Sequence, residues 1–360
     1  MIESVILIAL SVFAFISVYN LFTAPQLIAS SKTSINQRLI SILIPARNEE
    51  NNISNIIASV LVQTYPNKEV LILDDNSEDN TYKIASNYQS EIVKVYKGKK
   101  LPDGWLGKNW ACHQLAEKAN GDCLLFIDAD VKLNSGALEA AINELEQNSL
   151  SLVSVFPTQK IQSIGENLIV PLMNWLLLAF LPLKLVYSSA SSSFVAANGQ
   201  FMLWKKEDYI KVGGHQEVKD KIVEDMELAR LAKRNQLKIK TLLGKDLVVC
   251  RMYNSFNAAY KGFQKNFYAG FSINPILFFL MITSLTTIFT SPICLGLSIS
   301  GIIALVLIFI IRFNISVISK QNIFVNFILH PFQMIFMFLI GTLSVIKYKT
   351  NKLEWKSRRL

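Results

Sequence analysis

The chain has 360 residues, of which 51% are hydrophobic and 18% are charged, and its mean hydropathy is +0.33. This composition is too apolar for an ordinary soluble protein of this length, so we expect part of the chain to lie in a lipid bilayer. The formal net charge is +9, and basic residues crowd the segments beside the apolar runs. The pattern favours contact with an anionic membrane surface and argues against nucleic acid as a partner.

The four cysteines are scattered, have apolar neighbours and form no Cys-x-x-Cys pair. They are Cys112, Cys123, Cys250 and Cys294. We therefore expect buried thiols in a reducing compartment, with neither a disulfide framework nor a zinc site.

The first apolar run, residues 4–22, has no charged side chain and about the ~20 residues that a helix needs to cross the hydrocarbon core. The start Met-Ile-Glu lacks the basic residues of a cleaved signal peptide, so residues 1–24 are predicted to be a membrane anchor. Because Lys32 and Arg38 follow, the positive-inside rule places the N-terminus outside the cell and the next domain in the cytosol.

Residues 38–270 are predicted to form a cytosolic α/β domain with a mainly parallel sheet, because strand-like and helix-like runs alternate. The strands are expected at 39–44, 69–73, 93–96 and 123–127, and the helices at 51–63, 81–87 and 112–119. Neither a G-x-G-x-x-G motif nor a Walker lysine loop is present, which excludes dinucleotide-dependent redox chemistry and P-loop chemistry. Within this domain, residues 164–187 are apolar but carry charges and two prolines, and we expect a helix lying in the membrane surface.

Polar segments follow three of the predicted strands, namely residues 45–50, residues 74–77 and the pair Asp128 and Asp130. The carboxyl ends of parallel strands meet at one edge of a sheet, where open α/β sheets bind ligands. Two carboxylates at such an edge suit Mg²⁺ or Mn²⁺, with substrate phosphates filling the other coordination positions. A turn with two solvated acids is the alternative.

Two further motifs carry candidate chemistry. The loop 102–109 has two glycines for close backbone approach and Lys108 as a charge for a phosphate, although its Trp105 also suits a core or membrane-facing position. Farther on, Glu224 and Asp225 open a predicted helix. Asp225 is a candidate general base, and the alternative is ordinary pairing of acids with a helix N-terminus.

The C-terminal third, residues 271–347, is predicted to contain membrane helices. Residues 273–291 and 293–311 are uncharged runs separated by Pro292, which indicates a hairpin of two spans. A third run, 323–346, is interrupted at His330 and Pro331 and precedes a basic tail at 348–360. Because three full crossings would place this tail outside, we expect the third run to be re-entrant or interfacial.

Between about residues 40 and 270 the chain resembles inverting family-2 glycosyltransferases with the GT-A fold. The likeness is strongest to bacterial membrane-bound enzymes that act on carotenoid acids or hopanoids. It rests on the motifs IPARNEE, DDNSED, LPDGWLGKNWACHQLA, FIDADV, ANGQF, GGH, VEDMELARLAKR and RMY. The chain lacks the Gln-x-x-Arg-Trp signature of processive polysaccharide synthases, which argues against polymer synthesis.

The resemblance implies roles for individual residues. Asp225 would be the catalytic base with Glu224 beside it, Asp130 would bind the metal, and Asp128 would lie near the ribose or the metal. Asp75 would accept a hydrogen bond from uracil. The remaining donor-binding residues would be Pro45, Arg47, Glu49, Lys108 and Arg251, while Gly199 would shape the acceptor side and His215 is a weaker candidate.

The implied reaction is transfer of a hexose, most simply glucose, from a UDP-sugar to an isoprenoid or carotenoid-type acceptor dissolved in the membrane, with inversion. A hopanoid, a polyprenyl phosphate or diacylglycerol is the alternative acceptor. Two other interpretations are a nucleotidyltransferase of similar sheet topology and a non-catalytic membrane scaffold with a degenerate nucleotide-sugar fold. The resemblance also implies a multi-pass protein of the cell membrane with its catalytic domain in the cytosol.

Overall fold

The computed structural model describes residues 1–29, 38–271, 273–350, 352–355 and 358–359; Lys32 and part of the predicted basic tail lie outside these ranges. The chain divides into two compact units. The helical unit comprises Met1–Ala24, Gln159–Leu185 and Met252–Leu360, and the α/β unit comprises Pro25–Thr158 and Val186–Arg251. Residues 159–185 and 252–270, which we assigned to the α/β domain, therefore group with the apolar helices.

Ten strands lie between residues 40 and 250, and most belong to one sheet. They are β1 (Ile40–Ala46), β2 (Lys68–Asp74), β3 (Val93–Lys97), β4 (Cys123–Ile127), β5 (Val131–Leu133), β6 (Leu152–Phe156), β7 (Thr158–Gln159), β8 (Phe201–Lys205), β9 (Ile239–Leu243) and β10 (Val248–Cys250). The main sheet has the order β3-β2-β1-β4-β8-β6-β9, and a smaller sheet has the order β5-β10-β7. Two short tail strands, β11 (Glu354–Trp355) and β12 (Arg358–Arg359), pair antiparallel.

The main sheet is mostly parallel, as predicted. Strands β3, β2, β1 and β4 run parallel to one another, and β6 runs parallel to β9. Strand β8 is antiparallel to both β4 and β6. Strands β1 and β4 are almost wholly buried, because the central strands of such a sheet are covered on both faces and read as continuous apolar runs. The fold class of the α/β unit is thus confirmed.

The helices of the α/β unit are short and flank the sheet. They are α2 (Ile53–Leu61), α3 (Thr81–Ser86), α4 (Gly107–Lys118), α5 (Ala137–Gln147), α8 (Leu185–Ser188), α9 (Lys206–Lys211), α10 (Gly214–Glu217) and α11 (Glu224–Arg234). The predicted start of this helix, near Cys112, is wrong, because α4 begins at Gly107. Lys108 therefore lies in the first turn of α4 and not in the preceding loop.

The helical unit contains α1 (Ile2–Thr23), α6 (Ile164–Ile169), α7 (Pro171–Phe180), α12 (Phe256–Phe271), α13 (Pro275–Leu295), α14 (Ile299–Ser319), α15 (Ile323–Ile328) and α16 (His330–Lys349). Among the described residues, α1, α13, α14 and α16 are long and apolar enough to cross a membrane. Helix α16 continues without a break from His330, and Pro331 stands in its first turn, where a proline needs no backbone donor. Its length suits a full crossing as well as the re-entrant segment that we predicted.

The segment 164–187, predicted to be one helix in the membrane surface, is divided among α6, α7 and α8. Ser163 caps α6 by accepting a hydrogen bond from the Glu166 N–H. The fully buried Trp175 of α7 packs edge-on against Phe289 of α13, with ring centroids 4.8 Å apart. The surface position remains a prediction.

Candidate active site

The three polar segments predicted to share an edge of the sheet lie at the ends of adjacent strands. Ala46 of β1 pairs with Asp74 of β2, and the Asp75 N–H donates to the Ala46 carbonyl at 2.8 Å. Strand β4 lies on the other side of β1 in parallel register and ends at Ile127. Residues 45–50, 74–77 and 128–130 are therefore neighbours because the sheet is parallel here.

Arg47 fixes the shape of the loop that follows β2. Its Nη1 donates to the carbonyls of Asp75 at 2.7 Å and Asn76 at 2.9 Å, and its Nη2 lies 3.4 Å from a carboxylate oxygen of the exposed Glu78. These bonds orient the loop that carries Asp75. A direct contact of Arg47 with the donor stays a prediction.

The loops after β1 and β2 are tied together by side-chain bonds. Asn48 and Asn76 adopt left-handed backbone angles, with φ of 51° and 54°, which asparagine tolerates better than most residues. The Glu78 N–H donates to Asn48 Oδ1 at 2.9 Å, and the Glu49 N–H donates to Thr81 Oγ1 at 2.7 Å. The two loops thus form one bonded unit around the buried Asp75.

Lys108 joins the end of β4 to the start of α11. Its Nζ lies 2.9 Å from Asp128 Oδ1, 3.1 Å from Asp128 Oδ2 and 3.0 Å from Glu224 Oε1. Burial alone would lower the pKa of Lys108, but the two carboxylates outweigh it and raise the pKa well above its ordinary value. Lys108 is therefore a fixed positive charge at the predicted donor site.

The tripeptide Asn198–Gln200, which precedes β8, lies between the two acidic groups. The Gly199 N–H donates to Asp225 Oδ2 at 2.7 Å. A Cβ atom on Gly199 would lie 3.0 Å from Lys108 Nζ and 3.2 Å from Glu224 Oε1. Any larger residue would therefore crowd the ion pair, which explains why glycine suits this position.

Asp225 has the properties of a general base. Its second oxygen, Oδ1, accepts from the Met226 N–H at 2.8 Å, so backbone donors hold both oxygens. Burial and the nearby charge of Glu224 raise the pKa of Asp225 to about 6, although Lys108 and the two backbone hydrogen bonds oppose the shift. A carboxylate with a pKa near 6 is ionised at pH 7 and still basic enough to accept a proton.

Gln200 positions both aspartates of the predicted metal site. Its backbone carbonyl accepts from the Asp128 N–H at 3.3 Å, and its Nε2 lies 3.4 Å from Asp130 Oδ1 and 2.9 Å from Cys250 Sγ. Cys250 is paired with Val131 across β10 and β5. Arg251 follows Cys250 and is exposed. Because Cys250 pairs with Val131, Arg251 lies at the same end of this strand pair as Asp130.

The buried thiol of Cys112 lies within electrostatic reach of the predicted site residues. Burial raises its pKa, and the charges of Glu224, Asp128 and Asp75 raise it further, while Lys108 lowers it. The charges of Lys108, Glu224, Asp128 and Asp75 thus all act on this one side chain. Cys112, Cys123 and Cys250 are buried as predicted, whereas Cys294 is exposed, so the prediction of a buried thiol is wrong for that residue.

The donor set at Asp128 and Asp130 fits a hard divalent ion. Both side chains are at the end of β4, and the described residues contain no group of three His, Cys, Asp or Glu that could enclose a metal by themselves. Mg²⁺ and Mn²⁺ need few protein ligands when substrate phosphates complete the shell. Lys108 pairs with Asp128, and Gln200 Nε2 lies 3.4 Å from Asp130 Oδ1.

Asn109 is a structural determinant that the sequence did not reveal. It is buried in the first turn of α4, and its Nδ2 lies 2.8 Å, 3.2 Å and 2.9 Å from the carbonyls of Val218, Lys219 and Lys221. This contact fixes the segment that leads into Glu224 and Asp225. The residues next to Asn109 in the sequence do not indicate this role, because its hydrogen-bond partners lie more than a hundred positions away along the chain.

His215 is a buried core residue. Tyr209 Oη lies 2.8 Å from its Nδ1 and accepts from its backbone N–H at 3.0 Å, and its ring packs on Phe126 with centroids 4.7 Å apart. Burial lowers the pKa of His215 to about 3, so the ring is neutral at pH 7. These contacts account for the residue without a contact to substrate.

Comparison with known proteins defines the class to which the sheet and its acidic edge belong. Residues 41–199 match the family model described as Glycosyl transferase family 2. This region is a family-2 glycosyltransferase domain with the GT-A fold. The relation predicted from the motifs is therefore confirmed for this region.

Individual glycosyltransferases are similar to this chain over a longer region than the family model. The chain is 30% identical over 236 residues to the 4,4'-diaponeurosporenoate glycosyltransferase of Staphylococcus haemolyticus, covering 65% of this chain and 62% of the relative. It is 29% identical over 256 residues to the enzyme of that name from Staphylococcus aureus strain USA300, covering 69% and 66%. The matched region thus spans just under two thirds of the length of these relatives.

A solved structure supports the fold. The mannosyltransferase PcManGT from Pyrobaculum calidifontis, determined in complex with GDP-Man and Mn²⁺, matches with a TM-score of 0.54 at 15% identity. The match covers 99% of this chain and 100% of that chain. At this identity the likeness concerns the fold alone.

Proposed function

We propose that the chain transfers a hexose, most simply glucose, from a UDP-sugar to an isoprenoid or carotenoid-type acceptor dissolved in the membrane, with inversion at the anomeric carbon. The observation that carries the proposal is the arrangement of Asp225, whose oxygens are both held by backbone donors beside Lys108 and whose pKa is about 6. The carotenoid-acid names of the relatives support the choice of acceptor.

The donor would lie over the edge formed by β1, β2 and β4. Asp75 is buried beneath the loops and suits the predicted uracil contact, and Lys108 supplies positive charge for the diphosphate. Asp130, with Asp128, would hold Mg²⁺ or Mn²⁺, which would neutralise charge on the leaving diphosphate. PcManGT, which shares the fold, is described in complex with GDP-Man and Mn²⁺, and this supports a nucleotide-sugar donor and a divalent ion in general.

The residues of the chain support a single displacement. Asp225 accepts the proton from an acceptor hydroxyl, the acceptor oxygen bonds to the anomeric carbon, and the bond from that carbon to the diphosphate oxygen breaks, which releases UDP. The attack and the departure occur on opposite faces of the sugar and therefore invert it. Gly199 and Met226 keep the Asp225 carboxylate oriented throughout by their N–H groups.

The acceptor group decides how much the base contributes. A carboxylic acid is already ionised at pH 7 and has no proton to lose, so Asp225 would then orient the acceptor. A hydroxyl needs deprotonation, for which a positioned base is typically worth ~10²- to 10⁴-fold in rate. Asp225→Asn should therefore reduce transfer to a hydroxyl acceptor by about that factor and affect transfer to a carboxylate much less.

The test is UDP release by the purified full-length chain, with UDP-glucose, Mn²⁺ and either farnesol or farnesoic acid as a chain-matched pair of acceptors. Mass spectrometry of the product identifies the sugar and the bond. Asp220→Asn is a matched control, because Asp220 is an exposed acid near Asp225 that pairs with Lys221. Activity of Asp225→Asn equal to that of Asp220→Asn on both acceptors would refute the assigned role.

The same assay separates the alternatives. Release of diphosphate in place of UDP would identify a nucleotidyltransferase. Sugar transfer to a hopanoid, a polyprenyl phosphate or diacylglycerol, but to neither farnesyl compound, would move the acceptor to another lipid class. We further propose that the protein is a multi-pass membrane protein with the α/β unit in the cytosol, which the four long apolar helices support.

A further inference from the structure

Arg312 is the one ionised side chain in the sequence of α13 and α14, and it lies about 10 Å before the end of α14 at Ser319. Its side chain is fully buried, with 1% of its surface exposed. An arginine keeps its charge in proteins, so burial cannot be relieved by loss of a proton. A charge in this position marks a functional site unless the fold neutralises it.

The neighbours of Arg312 orient the guanidinium but do not neutralise it. Arg312 Nε donates to His330 Nδ1 at 2.7 Å, and His330 Nε2 lies 3.1 Å from the Phe289 carbonyl. An imidazole that accepts at one nitrogen and donates at the other is neutral. The guanidinium carbon also lies 5.4 Å from the Trp175 ring, a cation–π contact without a negative charge.

Among the acids of the helical unit whose side chains the structure describes, neither Glu3 nor Glu166 forms an ion pair with Arg312. The sequence of that unit has acidic residues only at positions 3, 166 and 354. Glu166 accepts from the Gln162 N–H and from the Ser163 hydroxyl, and Glu3 accepts from Ser300 at the opposite end of α14. Within the described part of the chain, Arg312 Nη2 is buried and has no hydrogen-bond partner.

We propose that Arg312, held by His330 and Trp175, binds the acidic head group of an amphiphile that enters from the bilayer. A carboxylate or phosphate would use the Nη2 donor and supply the missing negative charge. The attached chain would be apolar, because Ile302, Leu305 and others on the exposed side of α14 are apolar. If the proposed function holds, the natural amphiphile is an isoprenoid acid; an anionic phospholipid is the other source of this chemistry.

The experiment measures ligand-induced stabilisation of the full-length protein in nanodiscs of phosphatidylcholine, which is uncharged overall. Farnesoic acid and farnesol share a chain and differ in charge. The acid at about 100 times its dissociation constant should raise the unfolding temperature by about 5 °C or more, whereas the alcohol should not. Equal shifts with the two compounds would overturn the proposal.

Variants assign the effect to Arg312. R312Q should lose the acid-specific shift, and R312K, which keeps the charge without the planar fork, should bind at least about tenfold more weakly and serves if R312Q does not fold. N314A is the matched control, since Asn314 is a buried polar residue of the same helix that bonds Ser17. Wild-type affinity of R312K, or equal loss in N314A, would overturn the assignment.

A second experiment distinguishes an isoprenoid acid from an anionic phospholipid as the ligand. It also tests the Arg312 site independently of the proposed function. Nanodiscs containing phosphatidylglycerol should abolish the farnesoic acid shift if phospholipid is the ligand and leave it if the isoprenoid acid is preferred. Binding is measured without a sugar donor. An absence of UDP-glucose turnover would therefore refute the proposed function while the acid-specific shift upholds the site.

Discussion

At the scale of single residues, the centre of the candidate site is a lysine that forms ion pairs with two acidic side chains. Lys108 pairs with Asp128 and Glu224, and Gly199 lies against the same ammonium group. Charges this close couple the protonation of one residue to the presence of another. The pH dependence of the reaction is therefore the most direct readout of the arrangement.

The acid limb of kcat/KM should report the pKa of Asp225 for a hydroxyl acceptor. The base must be deprotonated, so activity should fall as the pH drops through about 6. Because Glu224 raises this pKa and Lys108 lowers it, E224Q should move the limb to lower pH and K108M should move it to higher pH. A pH–rate profile of each variant checks both signs, and shifts in one common direction would contradict the assignment.

Gly199→Ala should impair turnover without unfolding the protein. The added Cβ would lie 3.0 Å from Lys108 Nζ and 3.2 Å from Glu224 Oε1, so both groups must shift by a few tenths of an ångström. We expect kcat to fall about 10- to 100-fold, as small misplacements of reacting groups can cause. Steady-state kinetics and a melting curve test this. Gly270→Ala, whose Cβ would meet nothing within 4 Å, should leave both unchanged.

At the scale of elements, the strand ends could be predicted and the bonds between loops could not. Strands β1, β2 and β4 read as continuous apolar runs that end in acidic or polar residues, so periodicity located both the sheet and its functional edge. The start of α4 was missed because Gly107 and Lys108 resemble loop residues. Asn109 and Gln200 look like ordinary polar residues, and their roles depend on partners that are distant in sequence.

Asn109 makes α4 the support for the segment before Glu224. Asn109→Ala would leave the carbonyls of Val218, Lys219 and Lys221 without this donor, which costs about 1–3 kcal/mol for buried groups. We expect kcat to fall about tenfold with little change in the KM for the donor, and faster hydrogen exchange in residues 218–223. Asn235→Ala, which removes an exposed amide bond to Leu231, should change neither quantity.

At the scale of the whole molecule, composition predicted that the chain has apolar helices and an α/β unit. It did not predict correctly which residues belong to each unit. The apolar runs near both termini became α1, α13, α14 and α16. Residues 159–185 were assigned to the α/β domain because their prolines and polar residues weaken the membrane signal, yet they pack with the apolar helices. Only tertiary contacts, such as that of Trp175 with Phe289, reveal this membership.

The proposed orientation in the membrane can be tested with a native thiol. Cys294 is exposed near the end of α13, whereas Cys112, Cys123 and Cys250 are buried. If the N-terminus is outside and α1 and α13 both cross, Cys294 lies on the outer side. An impermeant maleimide should then label intact cells, and C294S should abolish the labelling. Labelling that requires permeabilised cells would reverse the orientation.

The same approach decides whether α16 crosses. Lys352 is exposed beyond the end of α16, so K352C in a C294S background provides a single accessible thiol. A full crossing of α16 after the turn at Lys320 should place this thiol outside, and a re-entrant segment should place it inside. The positive-inside rule favours the inner side, whereas the unbroken 20-residue helix favours the outer side.

The bonding between the loops after β1 and β2 limits how the proposed nucleotide preference of this site could be redesigned. The first loop, at Arg47, Asn48 and Glu49, donates hydrogen bonds to residues 75–81 of the second loop. The second loop also donates to the first, from the Glu78 N–H to Asn48. Grafting either loop alone from a relative that binds a different nucleotide would therefore remove the partners of these hydrogen bonds and change the conformation of the other loop. Transplanting both loops together would exchange the proposed base-binding surface as one unit and keep Asp225, Lys108 and Gly199 of the proposed reaction centre in place.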